Sequence, residues 1–220
     1  MKERDIAMRC QQLLNTIQGC IANGTTNGAR AAVFAQNVNI RGGWEVWLQL
    51  EIAHGFLNIP GNWTCERERP YPSTNAANPY LTYAAGGPAW GVTNNINAAA
   101  RADFYLHRNA APTDDSYIEL KCINPNHAMP LQDAWNRFNA DVVKQQTLRG
   151  GNAGLNYVSI LATFGTFQAA DVAGPNPGLG WYWAGGRTAY VYDMANNQVT
   201  TLANVAQGGA PRLFLVAVSV

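Results

Sequence analysis

Two stretches of alternating side chains joined by a turn-rich run restrict this chain more than any other feature. Arg101-Ala102-Asp103-Phe104-Tyr105-Leu106-His107-Arg108 and Tyr117-Ile118-Glu119-Leu120-Lys121-Cys122 both carry the two-residue period of a strand. Residues 109–116, Asn-Ala-Ala-Pro-Thr-Asp-Asp-Ser, favour a turn, so the pair is expected to form an antiparallel hairpin. Ala102, Phe104 and Leu106 then share one face and Arg101, Asp103, Tyr105 and His107 the other. On the second strand Ile118, Leu120 and Cys122 form the apolar face, opposite Tyr117, Glu119 and Lys121. Adjacent strands can bring Asp103 within about 5 Å, between Cβ atoms, of Glu119 or Lys121. Taken alone, Glu119 and Lys121 read better as a surface ion pair worth about 1 kcal/mol or less. A second carboxylate on the neighbouring strand is what turns the pair into a candidate site.

The segments around this hairpin predict an α+β chain of one domain. Apolar spacing predicts an N-terminal helix over 5–22 and helical signal again at 29–37. A buried helix follows at 44–57, between Gly42-Gly43 and the Gly55-Phe56 end, and carries Glu45 and Glu51 on different sides. A half-exposed strand is expected at 62–71. Residues 72–98, rich in Pro, Gly, Asn and Ala, read as a long ordered loop anchored by Tyr80, Tyr83 and Trp90. After the hairpin come a helix at 131–148, a strand at 155–164, and further strands near 188–194 and 212–220. No repeat and no linker divides the chain.

Composition narrows the function classes. With 220 residues, 47% hydrophobic and seven Trp, the chain can bury a sizeable core, and only 13% of it is charged, about half the usual share. A net charge of +1 provides no overall basic field, which argues against a tight sequence-reading DNA binder and only weakly against an enzyme that touches phosphates transiently. Cys10, Cys20, Cys65 and Cys122 lack metal-ligand spacing and read as thiols in a reducing compartment. Cys122 and His127 supply too few ligands for zinc. No signal peptide and no membrane span is visible, so a cytoplasmic site of action is expected.

Asp103, fifteen intervening residues, then Glu119-Leu120-Lys121 resembles the D-x(n)-E-x-K signature of the PD-(D/E)XK, or restriction-endonuclease-like, nuclease superfamily. The order helix, strand, strand, strand, helix, strand over about 43–164 is similar to that family's core, a central mixed sheet flanked by helices. Here it would be extended by N-terminal helices (1–42) and C-terminal strands (165–220). Gly43-Trp44-Glu45 and Gly55-Phe56 resemble the opening and close of the first helix in the Mrr-like branch, which favours Glu45 over Glu51. Two departures stand out: Ala102 occupies the place of the family's Pro, and 72–98 is an insertion between the first two core strands.

The resemblance implies phosphodiester hydrolysis with Mg²⁺ or Mn²⁺. Asp103, Glu119, Glu45 and the Leu120 carbonyl would hold the metal, whose hard-oxygen preference suits carboxylates. Lys121 would orient or help deprotonate the attacking water. The resemblance also puts an auxiliary Lys or Gln on the second helix, here Lys144 with Gln145 behind it. Arg101, His107, Gln145 and Arg149 are candidate nucleic-acid contacts, and DNA is preferred over RNA. A small nuclease core with irregular additions also resembles bacterial DNase toxin domains. That would bring an immunity protein as a partner, and delivery into a target cell without a cleavable signal. Homodimerisation would allow double-strand cutting. Two rivals from other classes stay open: a non-catalytic nucleic-acid-binding module and a structural protein of a phage or secretion system.

Overall fold

A computed structural model describes residues 43–57, 63–83, 90–108, 115–123, 131–168, 188–196 and 198–220. The helices expected at 5–22 and 29–37, Cys10, Cys20 and His127 lie outside these, as does the side chain of Glu51. The described elements are α1 (Gly43–Leu57), β1 (Trp63–Pro70), β2 (Tyr80–Tyr83), β3 (Trp90–Thr93), β4 (Arg101–Arg108), β5 (Ser116–Ile123), α2 (Leu131–Gly151), β6 (Asn156–Gly165), β7 (Tyr190–Asp193), β8 (Gln198–Thr201) and β9 (Arg212–Ser219). They make an α+β fold built on a seven-stranded mixed sheet in the order β1-β4-β5-β6-β9-β7-β8. Among the described residues no helix is long and apolar enough to cross a membrane.

Strands β4 and β5 pair antiparallel, whereas β5 and β6 pair parallel, Ser116 with Asn156 through Ile123 with Thr163. Parallel neighbours need a crossover, and α2 lies within the connection between them. The sheet is therefore covered on both faces. On one, Leu48 and Ile52 of α1 pack with Phe104, Leu106, Ile118, Leu120 and Ile160. On the other, Phe138, Val142 and Leu148 of α2 pack with Tyr117, Tyr157, Leu161 and Val216. Each fully buried large apolar side chain contributes about 1.5–3 kcal/mol. Strand β6 is buried along its first eight residues, and strands covered on both faces leave little room for charge. That accounts for the low charged fraction.

Three sequence expectations change. Residues 72–98 are not wholly irregular, because β2 and β3 form their own antiparallel hairpin. Their short aromatic and β-branched runs are masked in sequence by the Asn, Gly and Pro around them. The hairpin is tied to the sheet through Tyr71, whose N–H donates to the Ala100 carbonyl and whose carbonyl accepts from Leu81 N–H. An unpredicted strand, β8, pairs with β7 at the end of the sheet. The third change is at Asp103. Strict alternation puts Asp103 with Tyr105, yet Ala102 packs on the α2 side with Tyr105, while the Asp103 carboxylate turns to Gln49 of α1. The β1–β4 ladder steps from Arg67–Phe104 to Arg69–Ala102 around Glu68, whose φ is 55°. A non-glycine residue in that left-handed region costs roughly 1–2 kcal/mol, so the backbone of Glu68, between those two pairs, is held against local preference.

Candidate active site

The β4–β5 ladder runs from Leu106–Ser116 only to Phe104–Ile118. Beyond that pair the strands fork, and the N–H groups of Leu120 and Cys122 meet carboxylates. Asp103 Oδ2 accepts the Leu120 N–H at 2.6 Å. Glu45 Oε2, from the first turn of α1, accepts the Cys122 N–H at 3.2 Å. One helical turn on from Glu45, Gln49 donates to Asp103 Oδ1 at 3.1 Å and accepts from the Arg67 guanidinium at 2.6 Å. An amide held between a carboxylate and a guanidinium has its orientation set from both ends. Burial pushes the Asp103 carboxyl up, and the Leu120 N–H and Lys121 pull against it.

On the α2 side of β5 the donors are different. Glu119 is 3% exposed. Its Oε1 accepts from the Tyr71 hydroxyl at 2.6 Å and from Lys144 Nζ, while its Oε2 stands 3.9 Å from Lys121 Nζ. Asp141, one turn before Lys144 on α2, completes the group. Its Oδ1 is 3.1 Å from Lys144 Nζ and its Oδ2 is 3.5 Å from Lys121 Nζ. That Oδ2 is buried and makes no hydrogen bond. Burial pushes Glu119 up to about 7; Lys144 opposes the shift and the charges of Asp141 and Asp103 add to it. Burial alone would lower Lys121, but Asp141, Glu119, Asp103 and Glu45 outweigh it and hold the ammonium protonated. Tyr71 is pushed well above its usual range, first by burial and then by Glu119, so it stays a phenol that donates.

The structure thus brings Glu45, Asp103, Glu119, Lys121 and Lys144 to one stretch of β5. The proposed nucleic-acid contacts fare differently. Gln145 is fully buried, donating to the Val158 carbonyl and accepting from Ser159. This corrects its assignment as a nucleic-acid contact, because an i+4 neighbour of Asp141 on a packed helix points into the sheet. The Arg101 guanidinium donates to the carbonyls of Glu68 and Ile96, and so braces the base of the insertion. His107 Nδ1 lies 2.7 Å from Asp115, which also accepts from Tyr105. Arg149 stands half-buried in the last turn of α2, where a cation suits the helix end. Sequence reasoning missed Gln49 and Tyr71 and gave Asp141 no role. The i+4 step from Glu45 and the i−3 step from Lys144 could have flagged Gln49 and Asp141. Nothing local could have flagged Tyr71, 48 residues from its partner.

Among the described residues no three His, Cys, Asp or Glu side chains are grouped so as to hold a metal ion. The reason is visible: Lys144 and Tyr71 draw Glu119 toward α2, while Gln49 draws Asp103 toward α1. In kind, however, the donors suit a hard divalent cation. Four carboxylates (Glu45, Asp103, Glu119, Asp141) meet two ammoniums, and Glu119 Oε2 has only a distant ammonium beside it. Carboxylates this crowded are costly to bury ionised unless a proton or a cation joins them. No family model matches this chain, and no curated protein and no solved structure matches it.

Proposed function

We propose that the chain is a metal-dependent nuclease with a restriction-endonuclease-like core, hydrolysing phosphodiester bonds in DNA. One observation carries the reading: at the fork, Asp103 grips the backbone of Leu120 while Glu119 and Lys121 flank that same residue on β5. The succession α1, β1, β4, β5, α2, β6, with β2–β3 inserted, also supports it. Asp103, Glu119 and Glu45, with the Leu120 carbonyl, would hold Mg²⁺ or Mn²⁺. When bound, the ion would make a coordinated water more acidic and offset charge on the phosphate.

The chain's own residues have the remaining work. Lys121, 35% exposed and protonated, serves as a hydrogen-bond donor to the attacking water and the phosphate oxygens. A raised ammonium is a poor base, so taking the proton from water is not its task. Lys144 and Tyr71 fix Glu119 Oε1, which leaves Oε2 as its ligating oxygen. Gln49 and Arg67 aim Asp103.

A second reading, a non-catalytic nucleic-acid-binding module, is favoured by one observation: Glu119 Oε1 is already engaged by the Lys144 ammonium and the Tyr71 hydroxyl. Supercoiled plasmid separates the two. The nuclease nicks it with Mg²⁺ or Mn²⁺, stops with chelator, and loses the activity in Glu119→Gln and Lys121→Met proteins that still fold. Retarded but uncut plasmid under every metal condition would leave the binding module.

A further inference from the structure

Asp141 is the one member of the cluster that the nuclease reading does not use, and its geometry assigns it a task. Glu119, Lys144, Asp141 and Lys121 form a closed circuit of alternating charge in which each carboxylate offers one oxygen to each ammonium. The circuit is uneven. Lys144, 9% exposed, is in tight contact with Glu119 and 3.1 Å from Asp141. Lys121, 35% exposed, stands 3.9 Å from Glu119 and 3.5 Å from Asp141. Those last separations are ion-pair distances that fall short of hydrogen bonds. Lys121 is therefore attracted from two sides and captured by neither, and its N–H groups remain for a third partner.

The counterweight to Glu119 is Asp141 Oδ2, a buried oxygen with no hydrogen bond of its own. An unpaired buried carboxylate oxygen is expensive, and packing Lys121 directly onto it would remove the cost. It instead sits as a tether at arm's length. We infer that Asp141 is a positioning residue that holds Lys121 off Glu119, keeping Glu119 Oε2 open to a divalent cation and the ammonium open to the attacking water. Its role in the reaction rests on the nuclease reading; the tether itself does not. Without the Asp141 charge, Glu119 is the one carboxylate left within ion-pair distance of Lys121 among the described residues, and the ammonium closes on Oε2, where it competes with the metal. Lys144 cannot take over, because it is already committed to Oε1.

The test uses the full chain with Mn²⁺ as the probe. In a crystal structure of Asp141→Asn, Lys121 Nζ is expected at about 2.9 Å from Glu119 Oε2. By calorimetry, Asp141→Asn weakens Mn²⁺ binding about tenfold, and Asp141→Glu stays near wild type. The double variant Asp141→Asn/Lys121→Met recovers the wild-type Mn²⁺ affinity while plasmid cleavage stays lost, a pattern that simple destabilisation would not produce. Lys121 unmoved in Asp141→Asn, or an unchanged Mn²⁺ affinity, overturns the tether. A double variant that fails to recover affinity also overturns it, and makes Asp141 a ligand. A wild-type protein that binds Mn²⁺ but cuts nothing sinks the nuclease reading and leaves the tether standing on the affinity pattern. If the wild type binds no Mn²⁺, that reading also falls, and the position of Lys121 alone decides the tether.

Discussion

The two faces of β5 carry the same chemical groups and handle them in opposite ways. Toward α1, the carboxylates of Glu45 and Asp103 are held by backbone N–H groups and by Gln49. Toward α2, those of Glu119 and Asp141 are held by two ammoniums and a phenol. Neutral donors orient a carboxylate and leave its charge in place, whereas an ammonium cancels the charge it orients. The α1 side is thus the half that keeps its appetite for a cation. The α2 side is the half that supplies positive charge. The proposed nuclease would need both, and the fork between β4 and β5 is where the two sides meet.

That comparison breaks most readily at the carboxylates. Asp103→Asn and Glu119→Gln should each lower metal-dependent plasmid cleavage on the order of 10³-fold. An effect confined to one of them would mean that the two faces do not serve one site. Next come the two lysines, which the structure separates by burial. Lys121→Met should cost cleavage about 10²-fold with little change in the urea midpoint. Lys144→Met should instead destabilise the fold by about 3 kcal/mol, because it strands a buried carboxylate. Equal stability losses for the two would erase the distinction drawn between them.

A smaller effect sharpens the electrostatic contrast. Glu119 is pushed up to about 7, well above the range of a carboxyl in the unfolded chain. Between those two values the folded metal-free protein binds a proton that the unfolded chain has released. Glu119 by itself therefore makes stability fall as pH rises through that window. A bound cation needs the carboxylate, so Mn²⁺ affinity should weaken as pH drops below about 7, and calorimetry at pH 5.5, 7 and 8.5 reads the slope. A flat profile would show that Glu119 is not a ligand. The smallest effect is expected at Arg101. Because its guanidinium is bound to the Glu68 and Ile96 carbonyls, Arg101→Met should leave the salt dependence of DNA retention unchanged. A fall in the slope of about one would restore it as a phosphate contact.

Much of this arrangement was legible locally. Strands 101–108 and 116–123 lie where the alternation placed them, apart from the exchanged faces of Ala102 and Asp103, and the two described helices and β6 fall within a few residues of their apolar patterns. Glu45, Asp103, Glu119, Lys121 and Lys144 do converge on one stretch of β5. What was not legible has a common cause: it depends on contacts remote in sequence. Asp103 leaves its expected face because Gln49 and the Leu120 N–H, 54 and 17 residues away, reward the turn more than regular pleating would. Gln145 looked like a reachable polar side chain until the packing of α2 on β6 buried it against Val158 and Ser159.

The sequence by itself determined the periodicities and the roster of acids and bases, since strand and helix repeats are properties of neighbouring residues. It also determined that charge would be scarce in a chain with this much to bury. Only the tertiary structure decided which oxygen of each carboxylate is engaged, that Tyr71 from the base of an insertion seals Glu119, and that one lysine is buried while the other stands open. Those outcomes depend on the docking of α1 and α2 on opposite faces of β5. Hydrogen-bond partners and desolvation are set by what lies across a few ångströms of space.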